Sequence, residues 1–223
     1  MTVWNEQFDV ICVGFGFAGA AAAITAHDAG ARVLLLEKMR DPGGISICSA
    51  GGVRISRDAD ASFAYLKSTN GGTTPESLLK HLAQKMSVVS EFIQELAKIN
   101  NAEMLTTWVK ANYPFDGGDS FGFVSIKDIP GYNPEKDFDW GKGLRGGTRL
   151  FKVMQDNVTA RNIEVRLLTA ADELISENGR VVGLIAKGKQ IQAKGGVILT
   201  CGGFEADTKM QAQFWQEKPV LPG

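Results

Sequence analysis

The stretch "DVICVGFGFAGAAAA", residues 9–23, decides the fold. An apolar run rich in β-branched residues is broken by three glycines at G-x-G-x-x-G spacing, and a run of alanines follows at once. Apolar residues closed by glycine are typical of a buried strand, and alanine is the strongest helix former. The stretch therefore predicts a strand over residues 8–13, a tight turn, and a helix over about residues 18–29.

A second apolar run, "ARVLLLEK" at residues 31–38, follows the predicted helix after Gly30. Glycine is the residue at which helices commonly end, and the new run again indicates a buried strand. Strand, helix and strand in so short a length predict a βαβ unit. Because both strands are apolar without interruption, we expect them to run parallel and to be buried on both faces.

The glycines of the turn suit a ligand that carries a diphosphate. Gly14 allows the tight turn, Gly16 lets the backbone approach the phosphates, and Gly19 lets the helix pack closely on the strand. The first helical residues, Phe17 and Ala18, would present unpaired N–H groups and the positive end of the helix dipole to the phosphates. The alternative is a flexible turn without any ligand.

An acidic residue closes the second strand. Glu37, with Lys38 beside it, follows Gly19 at close to the spacing of about 20 residues expected for a ribose-binding carboxylate. A carboxylate at this position would repel a 2′-phosphate, so FAD and NAD fit the pattern and NADP does not. The chain does not continue with further βα units, as an NAD domain would, and this favours FAD.

The middle of the chain has a different pattern. Apolar residues at helical spacing predict one long or two consecutive amphipathic helices over residues 74–97, with Thr74 as N-cap and Pro75 at the first helical position. Residues 100–146 carry many aromatic side chains without clear periodicity. Such a segment predicts an irregular lid or substrate wall, and a plain surface excursion is the alternative.

The last part of the chain predicts a helix, a β-meander and a return strand. Asn178-Gly179 between two apolar runs is a strong hairpin signal. The final run, "GGVILTCGGF", predicts another buried strand. We interpret the chain as one α/β domain over residues 1–223. The βαβ unit and the following loop cover residues 8–52. The helical and aromatic excursion covers residues 74–146, and the helix, meander and return strand cover residues 147–205.

The composition is ordinary for a globular protein, with 44% hydrophobic and 22% charged residues and a net charge of −1. This balance gives no electrostatic basis for a nucleic-acid partner. No run reaches the roughly 18–20 apolar residues of a membrane span, and the N-terminus lacks the features of a signal peptide. The three cysteines form no C-x-x-C pair. We therefore predict a cytoplasmic protein without a metal site.

Four ordered motifs resemble one flavoprotein family. They are "DVICVGFGFAGAAAA…LLLEK", "GGISICSAGG", "ENGRVVGLIAKG" and "GGVILTCGGFE". Together they resemble the fumarate reductases, succinate dehydrogenases and 3-ketosteroid dehydrogenases, from about Phe8 to the end of the chain. The resemblance implies a Rossmann-like, three-layer FAD-binding domain and a hydride transfer between a carbon–carbon bond and flavin.

The resemblance also implies which residues contact FAD. In chain order these are Gly43, Gly44 and Ser46 along the pyrophosphate and ribityl chain, Ser49, Ala50, Gly51 and Gly52 beside the flavin ring, Ala170 and Ala171 at the adenine, and Cys201, Gly202 and Gly203 at the turn beside the dinucleotide. In succinate dehydrogenases a histidine in the loop before the glycine pair bonds covalently to the flavin. Ile45 stands at that position here, and an alkyl side chain forms no such bond, so we expect non-covalent FAD.

The chain departs from the family at its end, "WQEKPVLPG", residues 215–223. Family members continue into a cap domain and a last FAD-binding segment. We therefore expect an FAD domain that is incomplete at its C-terminal end, and activity that requires a further portion or a partner subunit. An exposed apolar edge at the missing strand would favour oligomerisation.

The aromatic segment bears on the substrate. "ANYPFDGGDSFGF", residues 111–123, carries little charge, which favours an apolar, steroid-like substrate of the 3-ketosteroid dehydrogenase type. Tyr113 is the candidate catalytic residue, as a proton relay or a substrate-wall phenol. A dicarboxylate reductase of the fumarate type and a non-catalytic FAD-binding module remain alternatives.

Overall fold

The computed structural model describes residues 3–141 and 146–215, which fold into two compact units. The first unit comprises Met1–Ile45 and Ile163–Gly223, and the second comprises Ser46–Asn162. The end of the predicted aromatic excursion, residues 142–145, and the chain end lie outside the described residues. The single domain over residues 1–223 stays a prediction.

The first unit is built on a six-stranded sheet in the order β6-β2-β1-β9-β8-β7. Its strands are β1 (Glu6–Val13), β2 (Val33–Leu36), β6 (Glu164–Arg166), β7 (Glu173–Glu177), β8 (Arg180–Ala186) and β9 (Lys189–Leu199). Strands β6, β2, β1 and β9 run parallel, whereas β9, β8 and β7 form an antiparallel meander. The predicted Rossmann-like α/β class, with a parallel sheet and a β-meander, is confirmed.

The two strands of the predicted βαβ unit lie side by side in the middle of this sheet. All four residues of β2 are buried, as the unbroken apolar run predicts. The core of the sheet is formed by buried side chains of β1, β2, β8 and β9, among them Phe8, Ile11, Leu34, Leu184 and Ile191. Because β1, β2 and β9 run parallel, their carboxyl ends lie at the same edge of the sheet. The glycine turn follows β1 at this edge.

Helix α1 (Phe17–Asp28) connects β1 to β2 and ends at the predicted glycine. Gly30 has a φ of 87° and donates its N–H to the His27 carbonyl, while the Ala31 N–H donates to the Ala26 carbonyl. This pair of bonds is a Schellman motif, which requires the left-handed conformation that glycine adopts without strain. The end of α1 is thus determined by local sequence.

The meander turns where the sequence predicts. Asn178 and Gly179 have φ values of 50° and 75° and join β7 to β8 as a two-residue hairpin. Lys187 and Gly188, with φ values of 48° and 73°, join β8 to β9 in the same way.

The burial predicted for the last strand is wrong at its C-terminal end. Ile198 and Leu199 are 39% and 58% exposed, although they lie in the apolar run. Strand β9 pairs with β1 up to Leu199, so the strand itself forms as predicted. Among the described residues, nothing covers these two side chains completely. Helix α7 (Thr208–Phe214) follows in the same unit.

The second unit contains a three-stranded antiparallel sheet in the order β3-β5-β4. Its strands are β3 (Val53–Ser56), β4 (Glu103–Trp108) and β5 (Phe121–Asp128). Its helices are α3 (Ala59–Thr69), α4 (Glu76–Ala97), the short α5 (Pro134–Asp137) and α6 (Gly146–Ala160). One further short helix, α2 (Gly44–Cys48), spans the boundary between the units in sequence.

The prediction of an irregular segment over residues 100–146 is wrong. It contains β4 and β5, and β4 is one of the two edge strands of its sheet. Five of the six residues of β4 are exposed, so the strand shows no alternation of apolar and polar residues. An edge strand that packs on neither face leaves no periodic signal in the sequence.

The helices of the second unit begin at other residues than predicted. Pro75 has a ψ of 135° and precedes α4 as its N-cap, so the helix begins at Glu76, one residue later than expected, and Thr74 is not the cap. The separate helix α3 begins after Asp58, whose side chain accepts the N–H groups of Asp60 and Ala61. Helix α3 was not predicted, and Asp58, a favoured N-cap residue, is the signal that the sequence reasoning missed.

Candidate functional site

The glycine turn lies at the carboxyl end of β1, between Val13 and the start of α1. Gly14 has a φ of 106°, and its N–H donates to the Leu36 carbonyl at 2.8 Å. A Cβ at this position would lie 2.6 Å from the Thr200 carbonyl oxygen. Glycine is therefore required at position 14 both by conformation and by the approach of β9.

The third glycine allows the close packing that the motif predicts. A Cβ at Gly19 would lie 1.8 Å from the carbonyl oxygen of Gly14. The first turn of α1 thus touches the preceding turn directly, and Ala23, one turn later, is completely buried. Any larger residue at position 19 would push the helix away from the strand.

The N-terminus of α1 has no side-chain cap. Gly16 is the N-cap, its backbone is extended, and it has no side chain with which to cap the helix. The first turn, beginning with Phe17 and Ala18, contains no acidic residue. Backbone N–H groups at such an end, together with the helix dipole, bind phosphate oxygens.

Glu37 follows β2 at the same edge of the sheet and is only 8% exposed. Its two carboxylate oxygens accept the backbone N–H groups of Phe15 and Met39, each at 2.9 Å. A carboxylate has about four acceptor positions, so acceptors remain for the hydroxyl groups of a ribose. The next residue, Lys38, is exposed. Glu37, the predicted ribose-binding residue, is therefore hydrogen-bonded directly to the backbone of the glycine turn.

The segment after β6 is bound to the segment after β2. The Leu168 N–H donates to the Met39 carbonyl, and the Thr169 N–H donates to the Glu37 carbonyl at 2.8 Å. Ala170 and Ala171, the predicted adenine contacts, follow directly. They therefore belong to the edge of the sheet at which Glu37 lies.

The end of β9 brings a residue that the sequence reasoning missed. The Thr200 hydroxyl donates to the carbonyls of Val13 and Gly14, at 2.8 and 3.0 Å. Cys201, Gly202 and Gly203 follow it and are exposed. Nothing in the local sequence distinguishes this threonine, because its partners lie almost the whole chain away.

The first unit thus gathers the predicted diphosphate, ribose and adenine positions at the carboxyl edge of β1, β2, β6 and β9. In doubly wound folds this edge is where dinucleotides bind. Gly43, with a φ of 111°, belongs to the same group, because its N–H donates to the Phe15 carbonyl at 2.8 Å. Gly44 follows it, with a φ of 47°.

The predicted FAD contacts of the second unit lie in residues 46–52, a segment that begins within α2 and that we call the serine–glycine loop. The Ser49 hydroxyl donates to the Ser46 carbonyl at 2.8 Å and accepts the Gly51 N–H at 3.1 Å. Ala50 and Gly52 lie on either side of Gly51 in this loop. Side-chain hydrogen bonds within so short a loop hold its backbone in one conformation.

Two glycines at the start of α6, which the sequence reasoning also missed as site residues, pack against this loop. A Cβ at Gly51 would lie 2.2 Å from the Gly146 carbonyl oxygen, and a Cβ at Gly146 would lie 1.9 Å from the Ala50 carbonyl oxygen. The Gly147 N–H donates to the Ser49 carbonyl at 2.9 Å. The signal in the sequence is the Gly146-Gly147 pair itself, which forms the first two residues of α6 although glycine is a poor helix former.

Tyr113, the candidate catalytic residue, lies in the second unit with a side chain that is 62% exposed. Its backbone N–H donates to the hydroxyl of the buried Tyr65 at 3.2 Å. This bond fixes the backbone of Tyr113 and leaves the phenol oriented by its own rotamer. The catalytic role of Tyr113 stays a prediction.

The titratable and metal-binding groups add little to the site. Burial raises the pKa of the Cys12 thiol in β1 to about 11, so this thiol stays protonated at neutral pH.

Within residues 3–141 and 146–215, no three His, Cys, Asp or Glu side chains form a group that could hold a metal ion. Over the same residues, the helices are all too short or too polar to cross a lipid bilayer.

The arrangement at the edge of the parallel strands defines a dinucleotide-binding domain. A family model described as the FAD binding domain matches residues 9–220. The chain therefore belongs to the FAD binding domain family, and its cofactor is FAD. The glycine cradle, in which a Cβ at position 14 or 19 would meet backbone, and the nearby acceptor Glu37 fit the diphosphate and ribose of this cofactor.

The similar proteins include fumarate and steroid enzymes, as the resemblance implies. The NADH:fumarate oxidoreductase of Klebsiella pneumoniae strain 342 is 28% identical over 236 residues, covering 98% of this chain and 22% of that protein. The 3-oxosteroid 1-dehydrogenase of Mycobacterium tuberculosis is 29% identical over 289 residues, covering 99% of this chain and 51% of that protein. The chain thus spans between about a fifth and about half of these relatives.

One solved structure shows the same fold. The 3-ketosteroid Δ1-dehydrogenase of Sterolibacterium denitrificans, in complex with 1,4-androstadiene-3,17-dione, has a TM-score of 0.75 to this chain at 22% identity. The match covers 94% of this chain and 50% of that chain. This likeness supports the Rossmann-like FAD fold.

Proposed function

We propose that this chain is the FAD-binding portion of a flavin-dependent oxidoreductase that acts on CH–CH groups, of the 3-ketosteroid dehydrogenase type. The observation that carries the proposal is the glycine turn with Glu37 bonded to its backbone. FAD, when bound, supplies the acceptor or donor of a hydride. The protein supplies binding, orientation and the accompanying proton transfer.

Each part of the site has one task in this proposal. The N-terminus of α1 neutralises the diphosphate, and Glu37 orients the adenosine ribose. The serine–glycine loop presents backbone rather than side chains to the flavin ring, which lets the ring approach closely. The phenol of Tyr113 exchanges the proton that accompanies the hydride or forms part of the substrate wall.

Exposed aromatic side chains in the second unit support an apolar substrate. Trp108, Tyr113, Phe115 and Phe123 are between 37% and 62% exposed. Large apolar side chains that the described residues leave exposed are typical of a binding surface. A fused-ring substrate such as a steroid buries such rings without requiring charge compensation.

A specific observation favours the dicarboxylate alternative. The guanidinium of Arg54 lies over the rings of Phe121 and Phe123, at 5.0 and 4.7 Å, and makes no salt bridge within the described part of the chain. Phe123 also contacts Gly52 of the serine–glycine loop, 3.4 Å from the position of a Cβ. A guanidinium held by two rings retains its fork of donors for a carboxylate.

Flavin spectra separate these functions. We expect androst-4-ene-3,17-dione, a 3-ketosteroid, to bleach the flavin absorbance of the native assembly, purified with any completing portion or partner subunit, under anaerobic conditions. Fumarate should not reoxidise the dithionite-reduced protein after the excess dithionite is removed. Reoxidation by fumarate without bleaching by the steroid would instead support the dicarboxylate reductase. A purified protein that holds no flavin would support the non-catalytic module.

The proposal includes non-covalent FAD and completion by a further portion of chain or a partner subunit. Ile45, at the position of the covalent histidine, has an alkyl side chain and is 61% exposed. The exposed Ile198 and Leu199 at the end of β9, a strand that lies between β1 and β8, support an apolar contact there with a further portion of chain or with another copy.

Native mass spectrometry tests attachment and assembly together. We expect an oligomer, or a complex with a second chain, that carries one FAD per copy, and we expect denaturation in acid to release all of the FAD. Flavin mass that persists on the denatured chain would contradict the non-covalent proposal. A stable monomer would contradict the proposed contact at Ile198 and Leu199.

The proposed compartment is the cytoplasm. No disulfide joins Cys12, Cys48 or Cys201 within the described residues, and Cys48 and Cys201 are exposed. Exposed thiols persist in a reducing compartment, whereas an oxidising one favours their conversion to disulfides. The balanced charge of the chain supports a small-molecule substrate rather than a nucleic acid.

A further inference from the structure

Thr200 is the first residue after β9, and its backbone N–H and its hydroxyl both bond to carbonyls at the end of β1. The N–H donates to the Val13 carbonyl at 2.9 Å, and the single hydroxyl proton is shared between the carbonyls of Val13 and Gly14, at 2.8 and 3.0 Å. A single residue therefore holds two consecutive carbonyl groups at the point where the strand becomes the glycine turn.

Thr200 also lies close to the positions that a Cβ would occupy at Gly14 and at Gly19. Its carbonyl oxygen lies 2.6 Å from the Cβ position of Gly14, and its hydroxyl oxygen lies 2.8 Å from the Cβ position of Gly19. The Gly14 carbonyl is thus enclosed between the Thr200 hydroxyl and the start of α1. It has little freedom to turn in another direction.

The Gly14 carbonyl belongs to the same planar peptide as the Phe15 N–H. That N–H donates to the Glu37 carboxylate at 2.9 Å. The peptide between Gly14 and Phe15 is therefore fixed at its oxygen by Thr200 and at its nitrogen by Glu37. Because the peptide is rigid, its rotation is restrained only while both bonds exist.

We propose that Thr200 is a positioning residue for the diphosphate of FAD. Its hydroxyl sets the plane of the Gly14–Phe15 peptide, and this plane determines the direction in which the following backbone, from Gly16 into α1, presents its N–H groups. Thr200 and Glu37 thereby restrain the same peptide from its two sides. This inference rests on the proposed binding of FAD at the turn.

Isothermal titration with FAD, ADP and adenosine tests the proposal. Thr200→Val removes the hydroxyl and keeps the shape, so we expect Kd for FAD and ADP to rise about tenfold, from the loss of hydrogen bonds that orient the turn. Adenosine lacks the diphosphate, and its Kd should change less than about twofold. Thr200→Ser keeps the hydroxyl and should bind all three ligands nearly as the native protein does.

Two comparisons separate positioning from general stability. Thr69→Val removes a hydroxyl that donates to the Tyr65 carbonyl at 3.0 Å in α3, and it should leave all three Kd values unchanged. In a double-mutant cycle, Thr200→Val and Glu37→Gln should weaken ADP binding by less than the product of their single effects, because both release the same peptide. If Thr200→Val does not fold, Thr200→Ala supplies the variant without the hydroxyl.

The outcomes are distinct. Native binding of FAD and ADP by Thr200→Val, or equal weakening of ADP and adenosine, would overturn the positioning role. A native protein that binds neither FAD nor ADP would overturn the FAD proposal itself, and the inference with it. Selective weakening of the two diphosphate ligands supports both.

Discussion

Replacing Gly14 with alanine is expected to weaken FAD binding about a hundredfold, the equivalent of about 3 kcal/mol of overpacking. The new Cβ would lie 2.6 Å from the Thr200 carbonyl oxygen and 3.1 Å from the Cα of Cys201. Both are backbone atoms in or beside the sheet, so they cannot move aside as a flexible side chain would. The turn must shift instead, and the N–H groups of α1 shift with it.

Gly30→Ala is the matched control for Gly14→Ala. Gly30 also has a positive φ, of 87°, but nothing lies within 4 Å of its Cβ position. Both variants therefore share the backbone strain of about 1–2 kcal/mol, and only Gly14→Ala adds the clash. We expect Gly30→Ala to lower the free energy of unfolding and to keep the native Kd for FAD. Equal Kd values in the two variants would contradict this account of the turn.

Replacing Glu37 with alanine should raise the Kd for FAD by a similar factor, about a hundredfold. Hydrogen bonds to a charged group contribute about 1.5–3 kcal/mol each, and the variant loses those to the ribose. It also leaves the N–H groups of Phe15 and Met39 without their acceptor. The apo-protein should therefore unfold with a free energy lower by about 1–3 kcal/mol.

Asp9→Ala is the control for Glu37→Ala. Asp9 also accepts a backbone N–H across β1 and β2, from Arg32 at 2.8 Å, but it lies toward the other end of the strands. Both variants should lose stability, measured by denaturant unfolding, whereas only Glu37→Ala should lose FAD affinity, measured by quenching of flavin fluorescence. Equal losses of affinity would show that Glu37 acts through stability alone.

Local signals in the sequence predicted the parts of the site that depend on neighbouring residues. The strand, turn and helix around Gly14, the stop at Gly30 and the hairpin at Asn178-Gly179 each follow from backbone conformations that a few residue types adopt. The register that brings Glu37 to the turn follows from the short βαβ connection. These features need no knowledge of the rest of the chain.

Long-range contacts explain what the sequence did not predict. Thr200 acts on carbonyls in β1, which is separated from it by most of the chain, and Gly146 and Gly147 matter only because the serine–glycine loop packs on them. Strand β4 was missed for a related reason. Its residues are exposed, and its only strong partner in the sheet is β5. Apart from the Gly146-Gly147 pair itself, these contacts have no local signature in the sequence.

The central claim is that the diphosphate of FAD lies on the glycine turn and that its adenosine ribose is bound by Glu37. Electron density from crystals grown with FAD tests this most directly. We expect the phosphates within hydrogen-bonding distance of the N–H groups at the start of α1, and a ribose hydroxyl within hydrogen-bonding distance of the Glu37 carboxylate. FAD density elsewhere in the molecule, with side chains occupying the turn, would contradict the account.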